Sequence, residues 1–203
     1  MRFQGTDMSG TSEARSGGRI LVDALRTHGV DTAFCVPGES FLAVLDALYE
    51  ARDGIRLVVC RQEGGAAHMA EAYGKLTGEP GICFVTRGPG ATNASIGIHT
   101  ARQDSTPMIL FVGQVGRSMR EREAFQEIDY RRMFGDVVKW VAEIDETARI
   151  PEFLSRAFPV ATSGRPGPVV LALPEDMLRE KAAVASVGAS EPIETYPGLT
   201  QTA

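Results

Sequence analysis

The sequence predicts an α/β fold of three layers, an open and mostly parallel sheet of about six strands with helices on both faces. Three observations predict it. Short apolar runs alternate with stretches of helical periodicity along most of the chain. The 22 glycines gather at the junctions between these runs rather than in a repeat or a low-complexity block. The run Pro107 to Gly113 is apolar throughout, the pattern of a strand buried on both faces. At 203 residues and 43% apolar composition, the expected content is one domain of roughly 150–180 residues with tails.

Residues 1–17 are mostly Gly, Ser, Thr and charge, and are expected to form a flexible lead. From Gly18 the residues Ile20, Leu21, Ala24, Leu25 and His28 share one helical face, and Gly29 ends that helix. Thr32 to Val36 reads as the first strand, turned by Pro37-Gly38-Glu39-Ser40 into a helix. Ser40 is the expected cap of that helix, and Leu42, Leu45 and Leu48 its apolar face. The unit then recurs: strand Arg56 to Cys60 with helix Gly64 to Lys75, and strand Gly81 to Thr86 with helix Ala91 to Ala101. After the buried Pro107 to Gly113 strand, Gln114 to Phe134 is charged and only partly helical. A short strand is expected at Val137 to Val141, with Trp140 at an edge. A helix follows over Glu146 to Ala161, and then the last buried strand, Val169 to Leu173, stopped by Pro174. Residues 18–180 thus form the expected domain, and 181–203 a linker toward a middle domain that this chain lacks.

Charge and cysteine usage exclude several classes. The formal charge is −5, and Arg120-Glu121-Arg122-Glu123 alternates in sign, so no basic face for nucleic acid is expected. Cys35, Cys60 and Cys83 are well separated, each in or beside an apolar run, and read as small hydrophobes of a reducing compartment. Nothing in the first residues reads as a secretory signal, and no apolar run approaches the ~20 residues of a membrane span. The expected location is the cytoplasm.

Chemistry concentrates at two glycine-rich turns. Glu63 stands in Cys60-Arg61-Gln62-Glu63-Gly64-Gly65-Ala66-Ala67-His68, an acid at the carboxyl end of a strand and at the start of a helix. Ligand sites of α/β sheets gather at such strand ends. The bland alternative is a carboxylate favoured by the helix dipole. Thr86-Arg87-Gly88-Pro89-Gly90-Ala91-Thr92-Asn93 follows the next strand. Without β-carbons, Gly88 and Gly90 allow backbone close to a ligand, or merely a sharp turn. The spacing fits neither a P-loop nor a dinucleotide fingerprint. No nucleophile elbow is present, and His28, His68 and His99 lack the neighbours of a zinc site.

These blocks, in order, resemble the N-terminal, pyrimidine-binding domain of thiamine-diphosphate-dependent enzymes, in particular acetolactate synthase large-subunit-like proteins. The blocks are Gly29 to Gly38, Arg61 to Tyr73, Gly88 to Asn93 and Ala124-Phe125-Gln126-Glu127, with Asp104 to Pro107 and Gly113-Gln114-Val115 between them. The resemblance runs from about Gly18 to Leu178. This chain departs from the usual pattern at Gln62 and Gly64, where acetolactate synthases have His and Gln around the glutamate. It departs again at Arg87, where a small Ser is usual.

The resemblance implies a half-site. Glu63 would hydrogen-bond N1′ of the cofactor's aminopyrimidine, promoting its imino tautomer and loss of the C2 proton. Pro37, Gly38, Glu39, Gly88, Pro89, Gly90 and Asn93 would line the pyrimidine. Phe125 would wall the substrate, and Gln126 would face the reactive end and orient it. Lys139 reads as structural. The substrate implied is a small 2-oxo acid, with pyruvate joined to a second 2-oxo acid as first choice, while the departures admit other lyases and decarboxylases. Mg²⁺ and the diphosphate belong to a domain marked by Gly-Asp-Gly, a motif this chain does not contain. A homo-oligomer, or a diphosphate-binding domain or subunit, is therefore the expected partner, and the chain alone is expected to be inactive. A non-catalytic interaction or dimerisation domain is the alternative.

Overall fold

The computed structural model describes residues 13–185. The chain enters through a two-residue strand, β1 (Arg15–Ser16), and helix α1 (Gly17–Thr27). Next come β2 (Thr32–Cys35), α2 (Leu42–Glu50), β3 (Arg56–Val59), α3 (Glu63–Thr77), β4 (Gly81–Val85) and α4 (Gly88–Asp104). The remaining elements are β5 (Met108–Gln114), α5 (Tyr130–Phe134), β6 (Trp140–Glu143), α6 (Ile150–Thr162), β7 (Pro168–Pro174), α7 (Glu175–Arg179) and β8 (Lys181–Ala182). Six strands form one sheet in the order β3-β2-β4-β5-β7-β6, and every pairing in it is parallel.

Strand periodicity sorts the core onto two faces. Ile82, Phe84, Ile109, Phe111, Val169 and Leu171 point to one side, where they pack with Ile20, Leu21 and Leu25 of α1, Val44 and Leu48 of α2, and Leu154 and Phe158 of α6. The alternate residues Cys83, Val85, Leu110, Val112, Val170 and Ala172 point to the other side. There they meet Ala66, Ala67 and Ala70 of α3, Ala91, Ala94 and Ala101 of α4, and Tyr130 and Phe134 of α5. Helices thus cover both faces, as expected.

Several local expectations shift. Ser40 does not cap α2; its hydroxyl shares a 2.7 Å hydrogen bond with Thr86 Oγ1, and a 3₁₀ turn at Glu39–Phe41 leads into the helix. Leu42 is exposed, whereas Leu48 is buried as expected, Leu45 is partly buried, and Val44 and Ala47 complete the stripe. Helix α4 begins three residues early, at Gly88, because Pro89 is accommodated in the first turn. Strand β6 begins at Trp140 rather than Val137: Val137 N–H closes a turn onto Phe134 O, and pairing with β7 starts only at Trp140. Trp140 stacks on Phe153 of α6, with centroids 5.8 Å apart.

Strands β1 and β8 and helix α7 are absent from the sequence reading. Strands β1 and β8 pair antiparallel, so Arg15–Ser16 lie beside Lys181–Ala182. Gly17 N–H reinforces the junction by donating to Glu180 O at 2.9 Å. The end of the expected lead 1–17 and the start of the expected linker 181–203 are thus ordered as β1 and β8, and residues 1–12 and 186–203 lie outside the described residues.

The strand order places the site. In this sheet the chain starts at β2, one strand in from the edge, steps outward to β3, then returns across β2 to β4. The reversal opens a crevice between the carboxyl ends of β2 and β4, the usual place for a ligand in an open α/β sheet.

Candidate functional site

The turns after β2, β3 and β4 meet at this crevice, and small residues let them meet closely. Gly38 follows β2 against the Thr86 side chain; a β-carbon there would fall 2.5 Å from Thr86 Cβ. Glu39 reaches Arg87 at 3.1 Å. Arg87 itself is 93% buried, at 7% exposure, and its other arm reaches Glu175 of α7 at 2.9 Å. This arginine therefore ties the β2 turn, the β4 turn and α7 together. Its Nε is buried without a hydrogen-bond partner among the described residues.

Glu63 opens α3 just beyond β3, the second strand of the sheet in chain order. Gln62 caps the helix: its backbone is extended, and its side chain accepts from Gly65 N–H at 2.9 Å. That cap fixes the first turn and aims the half-buried Glu63 side chain at the start of α4. Glu63 Oε2 accepts from Asn93 Nδ2 at 2.9 Å. Oε1 has no hydrogen-bond partner among the described residues and stands 3.6 Å from where a β-carbon on Gly90 would sit. Gly90 thus keeps the space beside this oxygen open. Gly64 allows the same approach from the other side, since a β-carbon there would lie 3.3 Å from Asn93 O. Asn93 is exposed, so the pair faces outward.

The third wall is the loop after β5. Gly88 N–H donates to Gln126 O at 2.9 Å, and a β-carbon on Gly88 would collide with that oxygen and with Ile128. Gln126 therefore lies against the Gly88-Pro89-Gly90 turn. Its backbone is left-handed, at φ +64. Phe125 is 73% exposed. Gln114, buried at the end of β5, donates from Nε2 to Ile128 O at 3.0 Å and accepts from Val115 N–H. A cleft of about 480 Å³ lies beneath this loop, bordered by Gln114, Glu127, Ile128 and Glu143. Burial raises the Glu143 carboxyl above its ordinary range, opposed by the Arg120 guanidinium beside it.

The structure thus gathers Pro37, Gly38 and Glu39 after β2, Glu63 after β3, Gly88, Pro89, Gly90 and Asn93 at the head of α4, and Gln126 beside Gly88. Phe125, next to Gln126, is left largely exposed. Lys139 precedes β6, at the amino end of the sheet, where its ammonium donates to Ser163 O at 2.7 Å. Sequence reading did not single out the Arg87 bridge, although an arginine before Gly-Pro-Gly was its visible sign. Nothing in the sequence marked Gln114 or Glu127 as anchors. Among the described residues no cluster of three or more His, Cys, Asp or Glu side chains is set to hold a metal ion, and no helix is long and apolar enough to cross a membrane.

The arrangement offers one free carboxylate oxygen in an open, glycine-lined notch at the strand ends. Comparison with known proteins bears on what that notch holds. A family profile described as "Thiamine pyrophosphate enzyme, N-terminal TPP binding domain" matches residues 15–133. The chain is 41% identical over 185 residues to an acetolactate synthase large subunit of Parasynechococcus marenigrum, covering 90% of this chain and 30% of that protein. It is 45% identical over 166 residues to the acetolactate synthase isozyme 3 large subunit of Escherichia coli, covering 82% and 29%. Against the mitochondrial acetolactate synthase catalytic subunit of Saccharomyces cerevisiae it is 39% identical over 171 residues, covering 84% and 25%. The matched region thus makes up less than a third of each of these relatives.

Proposed function

The chain belongs to the N-terminal TPP-binding domain family of thiamine pyrophosphate enzymes, and on that premise we propose that it is the pyrimidine-binding half-site of a 2-oxo-acid decarboxylase or carboligase related to acetolactate synthase. The observation that carries this reading is the Glu63 carboxylate. It sits at a strand end with Oε2 held by Asn93 and Oε1 free beside Gly90. A flat, nitrogen-rich ring with a protonated edge fits such a notch. Asn93 holds the carboxylate in one orientation.

Thiamine diphosphate, when bound, supplies the nucleophilic carbon that adds to the carbonyl of a 2-oxo acid. Glu63 would hold the proton at N1′ of the aminopyrimidine. Gly88 and Gly90 would let the α4 turn lie against the ring, and Pro37, Gly38 and Glu39 would form the opposite lip. Gln126, fixed against Gly88, would orient the substrate, and Phe125 would become its apolar wall once a neighbour covers this face. Asp, Asn and backbone ligands for Mg²⁺ and the diphosphate would come from a further domain or from another subunit.

The outer surface of α3 and α4 supports that assembly. Met69, Leu76 and Ile96 are exposed apolar residues on these two helices, which also carry the outward-facing Glu63–Asn93 pair. A second copy, or a diphosphate-binding domain or subunit, would cover them and complete the site. Free thiols at Cys35, Cys60 and Cys83 fit a reducing, cytoplasmic setting.

The test is hydrogen exchange at C2 of thiamine diphosphate in the assembled protein. Glu63→Gln keeps the shape and removes the carboxylate, so exchange is expected to slow by about 10²–10⁴-fold. Equal exchange rates in the variant and the wild type would remove Glu63 from the reaction.

A further inference from the structure

The loop that carries Phe125 and Gln126 holds three non-glycine residues in left-handed backbone within six positions: Glu121 at φ +59, Glu123 at φ +52 and Gln126 at φ +64. Each is unfavourable for a residue with a β-carbon, and such conformations persist only where their surroundings impose them. Within the loop one side chain supplies the bonds that impose them. Glu127 Oε1 accepts from Glu121 N–H at 2.7 Å, and Oε2 accepts from Ala124 N–H at 3.1 Å. Glu127 N–H closes the same ring by donating to Ala124 O at 3.0 Å. A single carboxylate thus satisfies two loop amides, and charge-assisted bonds of this kind are the stronger ones. Beyond this carboxylate the loop is held at its carboxyl end: Gly88 N–H grips Gln126 O, and Gln114 grips Ile128 O.

We propose that Glu127 is a positioning residue: its carboxylate clamps residues 121–127 into a strained loop that presents Gln126, and Phe125 beside it, at the Gly88 turn. Glu127 acts through these two residues and does not itself touch the reacting atoms. The inference deepens the reading of the site given above and rests on it for its consequence in catalysis. Its structural half stands independently of that reading. The geometry separates Glu127 from Glu63. Glu63 is held by Asn93 from α4, and among the described residues the Glu127 carboxylate hydrogen-bonds only within its own loop, so loosening the loop should spare the carboxylate that serves the cofactor.

The experiment has two arms. In the 203-residue chain, amide hydrogen exchange is followed at Glu121, Ala124 and Gly88 for wild type, Glu127→Gln and Glu127→Ala. The Ala variant removes both acceptors, and exchange at Glu121 and Ala124 should quicken roughly tenfold or more, the loss of about one hydrogen bond at each. Glu127→Gln keeps the size and one acceptor oxygen, so it should fall between the two. Amides of Leu110 and Val170 in the sheet should stay protected, which shows that the fold is intact. In the assembled protein, the KM for the 2-oxo acid should rise in the Ala variant, with partial rescue by Gln, while C2 hydrogen exchange of thiamine diphosphate keeps its wild-type rate.

Unchanged protection at Glu121 and Ala124 overturns the clamp. A loosened loop with wild-type KM and kcat overturns its role in presenting Gln126, and so does slowed C2 exchange, which would mean that Glu127 acts on the cofactor side. Wild-type protein without any thiamine-dependent turnover would count against the proposed function instead, and the amide arm would still decide the clamp.

Discussion

The two faces of the sheet are built from different materials. The face under α1, α2 and α6 is filled by large side chains, among them Leu21, Leu25, Phe41, Phe84 and Phe111, all essentially inaccessible. The helices on the other face contribute mainly alanine and glycine at their contact: Ala66, Ala67 and Ala70 on α3, Ala91 and Ala94 on α4, and Gly97. A β-carbon on Gly97 would fall 2.6 Å from Ala67 Cβ and 2.8 Å from the Ala67 backbone carbon. The difference teaches how the site is made. Large residues stabilise by burying apolar area. Small residues bring α3 and α4 so close that Glu63, at the head of one, can hydrogen-bond Asn93, one turn into the other. The first face supplies stability, and the second supplies geometry.

The largest expected effect on stability belongs to the large-residue face. Leu25→Ala removes a fully buried side chain and should destabilise by about 2–5 kcal/mol. Denaturant titration measures it. In the folded population the Glu63–Asn93 contact should survive, so C2 hydrogen exchange in the assembled protein should remain near wild type. A large loss of exchange in folded protein would erase the distinction between the faces.

Gly97→Ala should do the reverse. Overpacking at the α3–α4 contact is expected to cost about 1–3 kcal/mol, less than the Leu25 cavity, yet it should pull Glu63 from Asn93 and slow C2 exchange more. Two thiols report which face opens. Cys35 belongs to the large-residue cluster and Cys83 to the small-residue cluster. Burial pushes the Cys35 thiol up to about 11, with Cys60 nearby adding to the shift. Burial likewise drives the Cys83 thiol well up. Both should therefore resist alkylation near neutral pH until their face opens, because the thiolate is the reactive form. In Gly97→Ala, Cys83 should be labelled faster relative to Cys35 than in the wild type. Equal acceleration of both would show that the sheet opens as one unit.

The smallest expected effect on stability lies on the outside of the same helices. Ile96 is 59% exposed, and Ile96→Ser should change folding stability by no more than about 0.5 kcal/mol. Its consequence should appear in assembly: sedimentation velocity is expected to show weaker association with a second copy or with a diphosphate-binding partner. Unaltered association, with Leu76→Ser also silent, would place the partner elsewhere.

Much of this fold was legible because its signals are local. The apolar run Met108 to Val112, the break at Gly29 and the glycine-rich turns after each strand all act within a few residues. Glu63 stood out for the same reason, as an acid between a strand signal and a helix signal. Where the reading slipped, a distant contact had overridden a local preference. Ser40 looked like a cap because it opens a helix, yet Thr86 claims its hydroxyl from 46 residues away. Val137 has the character of a strand residue, but pairing with β7 begins only at Trp140. The charged stretch around Arg120 showed alternation of sign and nothing of the Glu127 ring, because acids and bases in a loop carry no periodicity.

The sequence by itself determined the main strands and helices between Gly18 and Pro174, that their sheet is mostly parallel, and that an acid and a glycine turn fall at strand ends. Backbone propensity and the alternation of apolar residues are enough for that. Only the tertiary structure decided the rest: the strand order, the tie between β1 and β8, the hydrogen bond from Asn93 to Glu63 across 30 residues, and the reach of Arg87 to Glu39 and Glu175 across 48 and 88. Such contacts depend on how the crossovers stack the strands and how closely two helices approach. Those distances are set by the packing of the whole sheet and are not written in any one stretch of the chain.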